Sequence, residues 1–158
     1  MKKIIFISLW GLTMSMNIFA GGKFVSIEYK HSRRIPNNEI MIKLGSENNN
    51  DKIFFAIMTA KNKGQQGENG RFEKIISIER EYFYAIYNRA MDIDYNSIIK
   101  SYEDRVGIDG INISITVGTR QNNIKTTLRS PDSSTTECEK LYILLFDLFS
   151  LFGMEEWL

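Results

Sequence analysis

The sequence is poor in the side chains on which most catalytic and metal sites depend. Its 158 residues include one cysteine, Cys138, and one histidine, His31. A single cysteine excludes an intramolecular disulfide, and a single histidine excludes a site that needs several imidazole ligands. The chain also lacks a nucleophile elbow, a metalloprotease helix motif and a dinucleotide-binding glycine motif. We therefore expect neither an enzyme nor a cofactor.

Cys138 also fits a structural role better than a chemical one. It is in register with Leu141, Leu145 and Leu148 on a predicted helix. A reactive pair with His31 would require an exposed thiolate with a lowered pKa, whereas free cysteine is among the most buried residue types. The spacing predicts that Cys138 is a small hydrophobic residue of the core.

The chain also has no large excess of basic residues. The chain has 20 basic and 19 acidic residues, and neither sign forms a long run. Affinity for nucleic acids and for anionic membranes comes largely from a net positive field. The charge balance therefore indicates a partner that is neither a nucleic acid nor a membrane surface.

Residues 1–20 have the three parts of a secretory signal. Lys2 and Lys3 precede an apolar stretch over 4–12, and Ala20 ends a plausible cleavage site. That stretch is short for a membrane span, which needs about 20 apolar residues. We expect cleavage, export to the periplasm or the extracellular space, and no membrane attachment afterwards. An uncleaved anchor is the alternative, because the following residues remain moderately apolar.

Residues 21–158 are predicted to form a single domain. Without Lys2 and Lys3, the chain keeps 18 basic residues and a formal charge of −1. A chain of this length buries enough surface to fold without disulfides or metals.

The hydrophobic pattern changes between period two and period 3.6 along this domain. Five segments have the period-two pattern of β-strands. A segment with helical periodicity follows the third of them and another follows the fifth. The pattern predicts an α+β fold with a mostly antiparallel sheet of about five strands, two main helices packed against it, and the order βββ-α-ββ-α. The third strand, 53–60, is apolar on both sides, which is typical of a strand covered on both faces.

Local signals place the ends of these elements. Ser77 is a candidate N-cap for the first main helix, and 61–71 is glycine-rich and polar, typical of a flexible connector. Ser134 or Thr136 would begin a capping box for the last helix. Gly153 suits the position just beyond the end of that helix.

One stretch resembles an EF-hand calcium loop. Asp92, Asp94 and Asn96 occupy its first, third and fifth places, and Glu103 occupies the twelfth. The sixth place holds Ser97 where such loops need glycine for a sharp turn. Calcium binding is therefore one hypothesis, and a junction between two helices with solvated carboxylates is the alternative.

The leading functional prediction is a protein-binding module of the bacterial cell envelope. Its particular form is an immunity-type protein that neutralises a toxin or an envelope hydrolase in the same compartment. The prediction rests on the small exported domain, its lack of catalytic motifs and its polar connections, since binding residues concentrate on loops. The candidate partner-binding residues are Arg33, Arg34, Asn48, Asn49, Lys61, Lys63, Glu68 and Arg71.

The alternative function is a small-ligand carrier with a pocket between sheet and helices. A cavity of about 300 Å³ or more would favour it. Aromatic side chains at these spacings also suit an ordinary core. The candidate lining residues are Phe55, Tyr82, Phe83, Tyr87 and Phe146.

Overall fold

The computed structural model describes residues 22–31, 39–47, 50–61, 71–102, 110–129, 131 and 135–157. The predicted signal, 1–20, lies outside these ranges. No helix in the part of the chain that the structure describes is long and apolar enough to cross a membrane.

Over the described residues the fold is α+β, with one antiparallel sheet and three helices. The strands are β1 (Lys23–His31), β2 (Glu39–Glu47), β3 (Asn50–Lys61), β4 (Arg71–Ile78), β5 (Ile111–Thr119) and β6 (Asn123–Arg129). The helices are α1 (Arg80–Asp92), α2 (Tyr95–Tyr102) and α3 (Thr136–Ser150), followed by a short 3₁₀ turn at Glu155–Trp157. The strands lie in the order β4-β3-β2-β1-β5-β6, and every neighbouring pair is antiparallel.

The extra strand, β4, corrects the predicted count of five. Ser77 lies in this strand, and α1 begins at Arg80 with Glu79 as its N-cap. The sequence Ile76-Ser77-Ile78 also has period two, and pairing with β3 places Ile76 and Ile78 partly in the core. Tertiary pairing therefore outweighs the capping propensity of Ser77, and the N-cap prediction is wrong.

The core lies on one face of the sheet, between the strands and the helices. Alternate residues of β1, Val25, Ile27 and Tyr29, are buried at the centre of the sheet. The helices cover them with a continuous apolar surface, because each helix turns one stripe toward the sheet. The buried helix residues are Phe83, Ile86 and Ala90 of α1, Tyr95 and Ile98 of α2, and Cys138, Leu141, Leu144, Leu145, Leu148 and Phe149 of α3.

The prediction that β3 is covered on both faces is wrong at its start. Phe54, Ala56 and Met58 join the core, whereas Ile53 on the other face is 41% exposed. Ile57 on that outer face is buried, although it does not belong to the core beneath the helices. The double-sided apolar pattern therefore reflects a sheet with helices on one face and a partly apolar surface on the other.

The ends of α3 are fixed by local hydrogen bonds. The Thr135 hydroxyl accepts a hydrogen bond from the Cys138 N–H at 3.2 Å, so the N-cap is Thr135. The Thr136 capping box is wrong because Thr136 is already helical, and Ser134 lies outside the described residues. Gly153 has φ +69°, and the N–H groups of Gly153 and Met154 donate to the Ser150 and Phe149 carbonyls. This is a Schellman motif, and it confirms the predicted role of Gly153.

The predicted connector 61–71 is wrong at both ends, because Lys61 ends β3 and Arg71 begins β4, and 62–70 lie outside the described residues. Helix α2 follows α1, and β5 and β6 pair as an antiparallel hairpin. Cys138 is a free, fully buried thiol on α3, which confirms its prediction as a core residue.

Candidate functional site

A surface groove of about 320 Å³ lies between α1 and the β5–β6 hairpin. The helix and the hairpin each supply one wall, and the wall residues are apolar apart from two amides. They are Tyr87 and Met91 of α1, Val117 and Gly118 of β5, and Asn122, Asn123 and Ile124 at the start of β6.

The groove exists because α1 presents two adjacent faces. Phe83, Ile86 and Ala90 point into the core, and Tyr87 and Met91 lie one residue further around the helix. Met91 is 44% exposed although it is apolar. The helix therefore offers an unburied apolar strip beside its buried stripe.

The hairpin wall is set by a tight, hydrogen-bonded turn. The Thr119 N–H donates to the Asn122 carbonyl at 2.7 Å, and the Asn122 N–H donates to the Thr119 hydroxyl at 3.1 Å. The Asn123 side-chain amide donates to the Thr119 carbonyl at 3.3 Å. Gly118 has φ +141°, and a Cβ there would meet the Asn122 carbonyl oxygen at 2.4 Å. Only glycine allows this close approach of the two strands.

A basic and aromatic rim borders one side of the groove. The Lys23 ammonium lies 5.1 Å from the ring centroids of both Tyr84 and Tyr87, and the Arg80 guanidinium lies 5.6 Å from that of Tyr84. The Tyr84 ring packs edge-on against Phe83 of the core, with centroids 5.3 Å apart. The rim is therefore anchored to the core through its aromatic rings.

The chemistry of the groove suits binding. The lining side chains, all within the described residues, include no carboxylate, imidazole or thiol. They combine apolar contact area with amide donors and acceptors at Asn122 and Asn123. Such a surface can hold a partly apolar, partly polar partner.

The groove was not predicted from the sequence. One usable signal was the spacing of Arg80, Tyr84, Tyr87 and Met91, which places these residues on one stripe of a helix. The contribution of Ile124 could not be found in this way, because it depends on how the hairpin lies against α1.

The predicted partner-binding residues lie at other places. Lys61 is exposed at the end of β3, where it pairs in register with Glu39 of β2 and with Arg71 of β4. This end of the sheet is opposite the end that carries Lys23 and the groove. The remaining residues of that prediction, Arg33, Arg34, Asn48, Asn49, Lys63 and Glu68, lie outside the described residues.

The aspartates of the calcium hypothesis lie where α1, α2 and α3 meet. Asp94 accepts hydrogen bonds from the N–H groups of Asn96 and Ser97 at 3.1 and 3.2 Å, and from the Ser97 hydroxyl at 2.6 Å. These contacts make Asp94 a cap for the first turn of α2, in which Asn96 is a helical residue. Glu103 lies outside the described residues.

Asp92 ends α1 and lies 3.7 Å from the ammonium of Lys140 on α3. Within the described ranges, no group of three His, Cys, Asp or Glu side chains could hold a metal ion. The calcium hypothesis therefore gains no support from the geometry of Asp92, Asp94 and Asn96.

The same junction ties α2 to α3. The Asp94 N–H donates to the Glu137 carboxylate at 2.8 Å, and the Lys140 ammonium donates to it at 2.8 Å. The hydrogen bond from the Ser97 hydroxyl lowers the pKa of Asp94, and the hydrogen bond from Lys140 lowers the pKa of Glu137. Both carboxylates therefore hold their protons more weakly in the folded protein than in the unfolded chain.

This arrangement predicts a loss of stability in acid. A lowered carboxylate pKa adds stability above the ordinary value near 4, and this stability disappears as the pH falls through the lowered pKa. The free energy of unfolding, measured in urea from about pH 7 to about pH 3, should fall more steeply for the wild type than for Glu137→Gln. Glu139→Gln, at an exposed position on the same helix, is the control and should keep the wild-type slope. Parallel curves for the wild type and Glu137→Gln would contradict this assignment.

The predicted carrier pocket is not formed by the residues named for it. Phe83 is fully buried and stacks on Phe54, with centroids 4.8 Å apart. Tyr82 is half-buried and donates its hydroxyl to the Asp147 carbonyl at 3.1 Å.

Two further residues named for that pocket face away from it. Phe55 lies on the outer face of the sheet, between Gly45 and Ser77, and Phe146 is 52% exposed on α3. Only Tyr87 of the predicted set lines the observed groove. The predicted lining is therefore wrong, because the sequence did not show which aromatic residues face the core and which face solvent.

Comparison with known proteins does not identify the groove. Neither a protein-family model nor a curated protein matches this chain.

Proposed function

We propose that this chain is a protein-binding module and that its partner docks in the groove between α1 and the β5–β6 hairpin. The observation that carries the proposal is the exposure of Met91 and Ile124, 44% and 46%, on opposite walls beside Tyr87. Tyrosine, methionine and arginine are enriched at protein interfaces, and charged residues are depleted at their centres. The groove has this composition, with its charges on the rim.

A small ligand is the second candidate. The groove volume, about 320 Å³, lies just above the lower end of the range for ligand pockets, about 300 Å³. Such pockets enclose most of the ligand surface, however, and the two apolar walls here remain open to solvent. An open apolar groove fits a protruding side chain or segment of another protein better than an enclosed small molecule.

The proposed setting is the cell envelope, following the predicted signal at residues 1–20. In that setting the partner would be a toxin or a hydrolase. The chain would act as an immunity-type protein by covering the active or binding surface of that partner. This role requires only tight binding, which is consistent with a groove lined by apolar and amide groups.

The test compares partner capture by two variants. The processed protein is immobilised, the envelope fraction is passed over it, and the affinity of each captured protein is measured. Met91→Lys should weaken binding by about tenfold or more, because it removes apolar contact at the centre of the interface. The activity of a captured toxin or hydrolase is then measured with and without this protein.

Ile143→Lys is the matched control. Ile143 is an exposed apolar residue on α3, 50% exposed, and does not line the groove. The Ile143→Lys variant should bind the partner as tightly as the wild type does. Unfolding curves should show that Ile143→Lys and Met91→Lys both fold. Equal affinity of Met91→Lys and the wild type would overturn the proposal, and binding of a small molecule alone would favour the carrier.

A further inference from the structure

We infer that the partner surface that enters the groove is acidic, with carboxylates flanking a large apolar anchor side chain. This inference rests on the proposed function and adds the chemistry of the partner. It follows from the basic side chains on the rim, which form no ion pair with a carboxylate of the described residues.

Three basic side chains lie near the groove. Lys23 and Arg80 belong to the aromatic rim, and Arg120 lies exposed in the turn that carries the groove residues Asn122 and Asn123. No carboxylate of the described residues lies within ion-pair distance of any of the three. These three cations therefore have no ion-pair partner among the described residues, although the exposed Glu79 and Glu81 flank Arg80 in the sequence.

The other basic residue of α1 shows the contrast. Arg89 forms an ion pair with Asp147 of α3, so it is used in holding the two helices together. Asp92, next to Met91 in the sequence, lies 3.7 Å from the Lys140 ammonium. The positive charge of Lys23 and Arg80 is left for a partner.

The rim cations are also held in place before binding. Lys23 lies over two tyrosine rings, and Tyr84 lies within reach of both Lys23 and Arg80. A side chain that is already positioned loses less conformational freedom when it pairs with a carboxylate. Among the described residues, the hydroxyls of Tyr84 and Tyr87 have no hydrogen-bond partner, so they are additional donors for an acidic group.

The apolar part of the groove defines the centre of the contact. Met91 and Ile124 form its exposed walls above the buried Val117, and Asn122 and Asn123 supply amide groups beside them. Strong interfaces place one large side chain in such a pocket and surround it with polar contacts. An apolar anchor with neighbouring Asp or Glu residues complements both parts.

A single-stranded nucleic acid would need free aromatic faces for base stacking. Here Tyr84 already has two cations within 6 Å of its ring, and it packs against Phe83 and Phe54. Three clustered cations in a domain of formal charge −1 also provide a weak field for nucleic acids or membranes. An acidic polypeptide is the occupant that the rim and the groove favour together.

The experiment selects ligands from a random peptide library displayed on phage, using the processed protein as the target. Selected peptides should be enriched in Asp and Glu next to Leu, Phe or Trp. A labelled peptide from the selection should bind Lys23→Glu and Arg80→Glu about tenfold more weakly than the wild type, and higher salt should reduce this difference. Lys61→Glu makes the same charge change at the opposite end of the sheet and should leave the affinity unchanged.

The results separate the two proposals. Loss of binding in Met91→Lys with no loss in Lys23→Glu and Arg80→Glu would overturn the acidic partner and keep the protein-binding groove. No loss in any of these three variants would overturn both, and a larger loss in Lys61→Glu would move the site to the other end of the sheet. Salt-dependent binding of a thymidine oligonucleotide or phosphatidylglycerol vesicles, as tight as that of the peptides, would also overturn the inference.

Discussion

Replacing Leu145 with alanine should lower the free energy of unfolding by about 2 to 5 kcal/mol. Leu145 is fully buried on α3, where this helix covers the sheet together with Leu141 and Leu148. The substitution removes apolar contact and leaves a cavity that the close-packed surroundings fill only in part. Urea or thermal unfolding of the two proteins measures the difference.

The neighbouring residue provides the control. Phe146 is larger than Leu145 but points away from the core, so Phe146→Ala should change stability by about 0.5 kcal/mol or less. The order of the two effects is the sharpest check on the orientation of α3. A larger loss for Phe146→Ala would show that the helix presents its other face to the sheet.

Gly118→Ala should destabilise the protein by about 3 kcal/mol or more. Its φ of +141° is a conformation that side chains rarely adopt, which costs about 1 to 3 kcal/mol. The new Cβ would also meet backbone atoms of Asn122 and Asn123 at 2.4 and 2.7 Å, and overpacking of this kind adds about 1 to 3 kcal/mol. The hairpin wall of the groove must then shift, so binding should fall together with stability.

Gly153→Ala separates the two causes. Gly153 also has a positive φ, +69°, but nothing lies within 4 Å of a Cβ placed there. This variant should therefore show only the cost of the backbone conformation, about 1 kcal/mol. If Gly118→Ala and Gly153→Ala lowered the free energy of unfolding equally, the close contact at Gly118 would not contribute to its loss of stability.

The sequence predicted best the elements whose pattern and end signals agree. β5 and β6 alternate regularly around a polar turn, and α3 combines an apolar stripe with Gly153 at its end. β4 was missed because its second half, Ile76 to Ile78, suits a strand and a helix start equally well. Its pairing with β3, which the local sequence does not encode, decides between them.

The candidate site was harder to predict for a related reason. The sequence pattern placed the candidate partner-binding residues in polar loops, whereas the observed groove is built from a helix face and a hairpin. Tyr87 and Met91 could not be recognised as groove residues from a linear pattern, because hydrophobicity does not show which side of a helix is left uncovered. Their exposure depends on the angle at which α1 crosses the sheet, which is a tertiary property.

The position of β1 in the sheet has a consequence for how the chain folds. Strand β1, the first in the part of the chain that the structure describes, is central, with its sequence neighbour β2 on one side and the distant β5 on the other. Hairpins such as β2–β3 close early, but the pairing of β1 with β5 must wait until most of the chain is available. Such long-range pairings slow folding, because the entropy of closing the loop is lost before the contacts are gained. For a chain exported as we propose, this delay keeps the middle of the sheet open during synthesis, when a translocation channel needs an unfolded substrate.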